Sequence, residues 1–286
     1  MGLNFGVKPI ACPAQLSFPP MSSFLRGAER ELRERTNTLD PACFTIRSVA
    51  SMVMAFRPTD HDSVFEDEAI LLCADHAGFA FRNPEPTAVA GLDGLVGMDV
   101  RYLTDVEPVV RVAALDAGYR AISQPDETVT ITGSPRIKAI QRAAIIRDEV
   151  LRLRPAPGRS RVHMVGAVGS IIHELRVAGC EVTASDLDPS VVGSEIAGVV
   201  VESSASAEDS LARADVVTIT GMTLVNGSYD AVLDSAATCK KLVLAQTGSG
   251  LGRALIASGV DSVLAEPFPA YMFPSPTVIE RYRKRN

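Results

Sequence analysis

A glycine after an apolar run and an aspartate 20 positions later could together bind a nucleotide-like ligand. The segment MVGAVGSIIHELRVAGCEVTASDLDP covers residues 164–189 and contains Gly166 and Asp186 at that spacing. In dinucleotide-binding domains the first strand leads into G-x-G-x-x-G, and an acidic residue about 20 positions later accepts hydrogen bonds from ribose hydroxyls. We therefore expect Asp186 to bind a ribose.

The other glycine positions favour a ligand without phosphates. Counted from Gly166, the second and third positions of the motif hold Val168 and Ile171. A Cβ atom at either position would crowd a pyrophosphate. S-adenosylmethionine, one of its products or a related nucleoside has a ribose without a diphosphate, and Gly166 and Gly169 would then allow close approach of its amino-acid portion.

A structural alternative exists for the acidic end of this segment. Asp186 and Asp188 precede Pro189 and Ser190, and aspartate followed by proline is typical of a helix N-terminus. The two aspartates could therefore cap a helix instead of binding a ligand.

The sequence leaves open whether the protein is an enzyme. It contains no G-x-S-x-G or H-E-x-x-H motif, which would indicate a nucleophilic or zinc-dependent site. A sulfonium ligand carries its own leaving group, so alkyl transfer or intramolecular displacement requires chiefly positioning and one base. An S-adenosylmethionine-dependent transferase or lyase is the activity we expect.

Two loops offer further small polar groups. They follow the strand-like runs DVVTITG and KLVLAQTG, and open α/β sheets bind ligands beyond the carboxyl ends of their strands. The predicted ligand-binding residues of these loops and of the last strand are Thr220, Gly221, Thr223, Asn226, Thr247, Gly248, Ser249 and Glu266. A tight turn at Asn226-Gly227 is the structural alternative for the first loop.

Histidines and neighbouring carboxylates indicate a second chemistry, the binding of a divalent metal. His61 and Asp62 lie in the turn-forming segment PTDHDS, and with His76 they could form a mixed carboxylate and imidazole site. His163 and His173 fall in a predicted strand and helix, where packing explains them more simply. The five cysteines form no C-x-x-C pair, so neither a disulfide framework nor a zinc ribbon is indicated.

The elements that would position these residues fall into two parts. Residues 1–40 are predicted to form an arm and a surface helix, and residues 41–157 an α+β cap of β-rich runs followed by helices. After the linker-like segment RPAPGRSR, residues 158–286 alternate short apolar runs with helical stretches. This alternation predicts an α/β fold with a doubly wound, parallel, Rossmann-like C-terminal domain. The basic C-terminus RYRKRN is expected to be a solvated end.

The charge and composition of the chain disfavour some classes of binding partner. The net charge is −6 over 286 residues, which disfavours nucleic acid because its phosphates are bound by lysine and arginine. No apolar run is long enough to span a membrane, and the N-terminus lacks the layout of a secretory signal. We expect a cytoplasmic protein with a small-molecule ligand in the cleft between the α+β cap and the Rossmann-like domain. We expect no nucleic-acid or membrane partner, and assembly as a homo-oligomer is left open.

One segment of the sequence resembles that of a known protein family. The segment ADVVTITGMTLVNGSYDAVLDSA, with GVDSVLAEPF downstream, resembles the proteins grouped as "putative heavy-metal chelation", and the similarity extends over about residues 43–268. The resemblance implies a Rossmann-like C-terminal domain and an N-terminal domain like that of enolase. It also implies the alternative function of a metal-handling or metallophore-related binding protein. A non-catalytic sensor is a third alternative.

Overall fold

The structure is a computed structural model that describes residues 22–56, 65–82, 91–103, 105–154, 160–268 and 270–285. Residues 1–21 of the predicted arm and residues 155–159 of the predicted linker lie outside this part of the chain. The helices are α1 Ser23–Thr36, α2 Pro108–Arg120, α3 Pro135–Leu153, α4 Gly169–Val177, α5 Glu208–Arg213, α6 Met222–Val225, α7 Tyr229–Ser235 and α8 Gly252–Ala257. The strands are β1 Ser48–Phe56, β2 Phe65–Cys73, β3 Ala77–Arg82, β4 Glu127–Ile131, β5 Arg161–Val165, β6 Glu181–Asp186, β7 Glu195–Ile196, β8 Val199–Ser203, β9 Val216–Thr220, β10 Lys240–Ala245, β11 Ser262–Ala265 and β12 Thr277–Arg283.

The cap consists of a three-stranded antiparallel sheet with α1 and α2. Its strand order is β1-β2-β3, and Cys73 pairs with both Ser48 and Ala77. The apolar runs of this region therefore form the strands that the sequence predicts. Gly78 of β3 lies so close to α2 that a Cβ atom would stand 1.9 Å from the carbonyl oxygen of Ala113. Only glycine permits this contact between sheet and helix.

The C-terminal domain is the predicted Rossmann-like layer, and its sheet has antiparallel strands at both edges. The order is β4-β12-β11-β10-β9-β5-β6-β8-β7, in which the strands from β11 to β8 are parallel. The expectation of a solvated basic C-terminus is wrong for residues 281–283, which belong to β12. The side chain of Tyr282 there is 1% exposed.

Two elements of the predicted cap lie on the large sheet. β4 pairs with β12, and α3 packs against α4 over the apolar core formed by residues such as Ile146 and Val150. α3 begins where the sequence predicts, because the Ser134 hydroxyl accepts a hydrogen bond from the backbone of Ile137 and Pro135 occupies the first turn. Its local sequence does not reveal which sheet it covers.

The opposite face of the large sheet carries α5, α7, α8 and the cap. α2 is apolar on nearly all sides, and residues 109, 110 and 112–119 are buried, as expected for a helix enclosed between layers. One core joins cap residues such as Leu32 and Ile70 to sheet residues such as Val217 and Val243. Within the described residues, no helix combines the length and apolarity needed to cross a membrane.

Candidate functional site

The strand order reverses between β5 and β9, and ligands of open α/β sheets bind at such a reversal. Side chains alternate between the two faces of a strand, so residues two positions apart face the same side. The last core residues beneath α3 and α4 on four strands are Met164, Ala184, Leu244 and Leu264. Two positions later, facing the same side, come Gly166, Asp186, Gln246 and Glu266. We call these four residues, with Thr220 at the end of β9, the carboxyl edge.

Contacts within the protein explain Gly166 of the predicted loop and leave only little room at Gly169. Gly166 has a φ of +88°, which L side chains rarely adopt. A Cβ atom there would also lie 2.6 Å from Thr220 Oγ1. Gly169 begins α4, and a Cβ atom on it would lie 3.2 Å from Ile196 Cγ2. The sequence predicts close approach of a ligand at these glycines, whereas the contacts in the structure are with protein atoms.

Asp186 joins the loops that follow β5 and β6. Its Oδ2 accepts a hydrogen bond of 2.9 Å from the Ala167 backbone N–H, and its Oδ1 accepts one of 3.0 Å from Asp188. The side chain is half-buried. Because an ionised carboxylate has about four acceptor positions, each oxygen retains capacity for a ligand hydroxyl.

The helix-cap alternative for the two aspartates is wrong. Residues 189–193 form turns that lead to β7, and no helix begins among them. Asp188 instead closes a local turn, where its Oδ1 accepts hydrogen bonds of 2.8 Å and 2.7 Å from the backbone and hydroxyl of Ser190.

Glu266 belongs to a polar cluster that sequence reasoning found only in part. Its Oε1 pairs with Nε of Arg142, and its Oε2 accepts a hydrogen bond of 3.0 Å from Gln246 Nε2. The guanidinium of Arg142 lies 5.4 Å from the ring centroid of Tyr271. Burial lowers the pKa of Arg142, but the Glu266 carboxylate more than compensates, so its pKa lies above the usual value. Arg142 was missed because its contact depends on the packing of α3 on the large sheet.

The loop after β10 forms hydrogen bonds with the cap. Thr247 Oγ1 accepts a hydrogen bond of 3.0 Å from Phe81, and the backbone N–H of Gly248 donates one of 3.1 Å to the carbonyl of Phe79. Ser249 is fully buried and donates to Asp116 of α2 over 3.2 Å. These contacts join the Rossmann-like domain to the cap.

The polar side chains of the loop after β9 form hydrogen bonds within the loop itself. Thr223 Oγ1 donates to the carbonyl of Thr220 over 2.9 Å, and Asn226 Oδ1 accepts from Ser228. A Cβ atom on Gly221 would lie 2.4 Å from the Thr247 carbonyl oxygen. The predicted loop contains α6 and α7, which begin at Met222 and Tyr229. The polar groups and backbone of Gly221, Thr223, Asn226, Thr247, Gly248 and Ser249 are thus engaged by the protein itself, and these residues are not part of the proposed ligand site.

Asp116 is the buried charge at the centre of the cap interface. It accepts hydrogen bonds from the backbone N–H groups of Phe79 and Gly250. Nε of Arg120 lies 3.6 Å from its Oδ1. Complete burial raises the pKa of Asp116 to about 6, although Arg120 and the hydrogen bonds act in the opposite direction.

The predicted metal ligands do not assemble in the described part of the chain. His61 and Asp62 lie outside it, and His76 is exposed at the turn between β2 and β3. No group of three or more potential ligands is found among the described residues. His163 is fully buried between Thr183 and Ser185, and burial lowers its pKa to about 4, as expected of a packed, neutral histidine.

Two solved structures share the whole two-part architecture. A protein of unknown function from the DUF364 family of Desulfitobacterium hafniense has 14% identity and a TM-score of 0.58, covering 89% of this chain and 99% of its own. Another from Pyrococcus horikoshii, of the same family and also of unknown function, has 12% identity and a TM-score of 0.53, covering 91% and 100%. At such identities the similarity shows the fold alone.

The remaining comparisons concern ligands and the family. A methyltransferase of mycinamycin biosynthesis in complex with Mg and SAH has 15% identity and a TM-score of only 0.29, too low to carry an argument. No curated protein matches this chain. The sequence model of the family described as "putative heavy-metal chelation" matches residues 149–264. This match, together with the two similar structures, confirms the resemblance of the Rossmann-like part of the chain to the DUF364 family.

Proposed function

We propose that this protein binds a small nucleoside-containing molecule of the S-adenosylmethionine type at the carboxyl edge. The observation that carries the proposal is the position of Asp186 at the end of β6, next to the reversal of strand order. Its two backbone hydrogen bonds fix the carboxylate and leave one acceptor position on each oxygen for the ribose hydroxyls.

The side chains at the start of α4 favour a ligand without a diphosphate. Ile171 is fully buried and Val168 is half-buried, at the two motif positions where a dinucleotide site has glycine. The backbone at this helix start cannot be approached as closely as a pyrophosphate requires. A nucleoside whose sulfonium or thioether replaces the phosphates fits this arrangement better.

The proposed activity is an alkyl transfer or an intramolecular displacement on that ligand. Such a ligand supplies its own leaving group, so the protein has to position the reacting atoms and exclude competing water. The carboxyl edge provides Asp186 for the ribose, with Thr220 two strands away at the end of β9, while the polar cluster around Glu266 lies further along the same edge.

Calorimetric titration with S-adenosylhomocysteine tests the assignment. Asp186→Asn should weaken binding by at least tenfold, because hydrogen bonds to a charged group contribute about 1.5–3 kcal/mol. Asp188→Asn is the matched control, since it alters the adjacent turn carboxylate without removing the proposed ribose contact. Equal affinities in the two variants would mean that Asp186 only joins the loops.

The family description favours a second function, the handling of a metal ion. Its predicted ligands are His61, Asp62 and His76, of which His76 is exposed. Thermal unfolding with S-adenosylmethionine, NAD and divalent metals ranks the two functions, because a ligand at 100 times its Kd stabilises by about 2.7 kcal/mol. Stabilisation by metals alone, lost in His61→Ala, would favour the metal-handling function.

A further inference from the structure

The cluster of Arg142, Glu266 and Gln246 has unused hydrogen-bonding groups of both kinds. Only Nε of Arg142 pairs with Glu266. Among the described residues, neither terminal nitrogen of Arg142 has a hydrogen-bond partner. The side chain of Arg142 is 12% exposed and Gln246 is half-buried, so the cluster is in contact with solvent. The cluster thus presents a two-pronged donor beside carboxylate and amide acceptors.

The surroundings keep these groups rigid and mostly dehydrated. The side chains of Arg142 and Glu266 are 12% and 5% exposed. The guanidinium of Arg142 lies over the Tyr271 ring, 5.4 Å from its centroid. The segment of Tyr271 is anchored to α3 because Lys138 Nζ donates to the carbonyls of Phe273 and Ser275 and to the hydroxyl of Thr277. Hydrogen bonds are stronger in such a low-dielectric environment than in water, and a rigid site loses little conformational freedom when a ligand binds.

The charge of the cluster selects its ligand. Arg142 and Glu266 neutralise each other, so a lone anion or a lone cation would leave one buried charge uncompensated. A ligand that carries an ammonium and a carboxylate on neighbouring atoms matches both. The guanidinium fork is suited to a carboxylate, and the oxygens of Glu266 and Gln246 are suited to an ammonium.

We propose that Arg142, Glu266 and Gln246 bind the α-carboxylate and α-ammonium groups of a small amino acid. Glu266 lies four strands from Asp186 in the order β6-β5-β9-β10-β11, which corresponds to roughly 19 Å at the usual strand spacing. A single nucleoside does not span that distance from its ribose. The amino acid therefore occupies a second subsite, which does not rest on the proposed nucleoside site.

Calorimetric titration of the full chain with the twenty common L-amino acids is the first test. For the tightest of them, the corresponding amide and the corresponding acid without the amino group should each bind at least tenfold more weakly. Binding of no amino acid at 10 mM, or equal binding of the acid without the amino group, would overturn the proposal, since the latter result indicates a simple anion site.

Two variants locate the binding. Arg142→Lys keeps the charge that Glu266 requires but removes the fork, and it should raise the Kd for the amino acid at least tenfold. Arg147→Lys is the matched control, because Arg147 is on the same helix and pairs with Glu174 at 2.7 Å. Should Arg142→Lys fail to fold, Gln246→Met removes an acceptor at almost constant volume and should raise the same Kd. Unchanged affinity in the folded variant would refute the assignment.

Discussion

At the scale of single residues, the sequence predicts where Gly166 and Asp186 lie, but it does not predict why position 166 requires glycine. Gly166 and Asp186 lie where a nucleotide-binding pattern places them, at the ends of neighbouring parallel strands. The structure adds that Gly166 is required by its positive φ and by Thr220. That contact joins two segments about 54 positions apart in the chain, so no local pattern could reveal it.

Gly166→Ala should lower the free energy of unfolding by about 2–4 kcal/mol, because backbone strain adds to a collision with Thr220. Gly179→Ala is the matched control. Gly179 has a φ of +83° but has no atom near its would-be Cβ, so only the strain of about 1 kcal/mol remains. Urea unfolding of both variants measures the difference.

The double variant Gly166→Ala, Thr220→Ala separates the two causes. Removing the Thr220 side chain should recover part of the loss, which appears as a coupling of about 1 kcal/mol in a double-mutant cycle. Additive effects of the two substitutions would show that Thr220 is not the limiting contact.

At the scale of elements, the start of α3 was predictable and the sheet on which it packs was not. Ser134 and Pro135 fix the start of α3 through local chemistry. Its assignment to the large sheet depends on β4 and β12, whose pairing joins residues about 150 positions apart. The side chains of Arg142 and Glu266 come together only through that packing. The sequence therefore identified Glu266 as a candidate but not Arg142.

Lys138→Met tests how residues 273–277 are attached to α3. Lys138 Nζ donates hydrogen bonds to three oxygens of residues 273–277, so the substitution should lower the free energy of unfolding by about 1–3 kcal/mol. Lys240→Met is the control, because Lys240 pairs with Asp261 at the surface and such pairs contribute about 0–1 kcal/mol. Equal losses in chemical denaturation would contradict a special role for Lys138.

At the scale of the whole molecule, the cap covers part of one face of the large sheet, and α3 and α4 cover the other face. The sequence predicted two parts with a cleft between them, and it placed the polar loop residues Thr247 and Ser249 in that cleft. In the structure these side chains are buried against β3 and α2. Small polar residues at a strand end serve a domain contact as well as a ligand, and composition alone does not distinguish the two.

The cap interface should respond to pH through Asp116. Its pKa in the folded protein is about 6, against about 3.9 in an unfolded chain. Because the folded pKa is raised, the stability contributed by Asp116 is fully present below about pH 4 and is lost as the pH rises through 6. The loss amounts to about 3 kcal/mol.

The difference in unfolding free energy between the wild type and Asp116→Asn isolates this contribution from those of other carboxylates. Relative to Asp116→Asn, the wild type should become less stable as the pH increases from 4 to 7, as measured by urea unfolding at each pH. A shift in favour of the wild type would indicate that Arg120 and the backbone hydrogen bonds outweigh burial.

A crystal structure of the protein in complex with S-adenosylhomocysteine would test the central claim most directly. The ribose hydroxyls should lie within about 3 Å of the Asp186 carboxylate, on the side of the sheet covered by α3 and α4. A nucleoside bound instead between the cap and the loop after β10, or bound without contact to Asp186, would contradict the account.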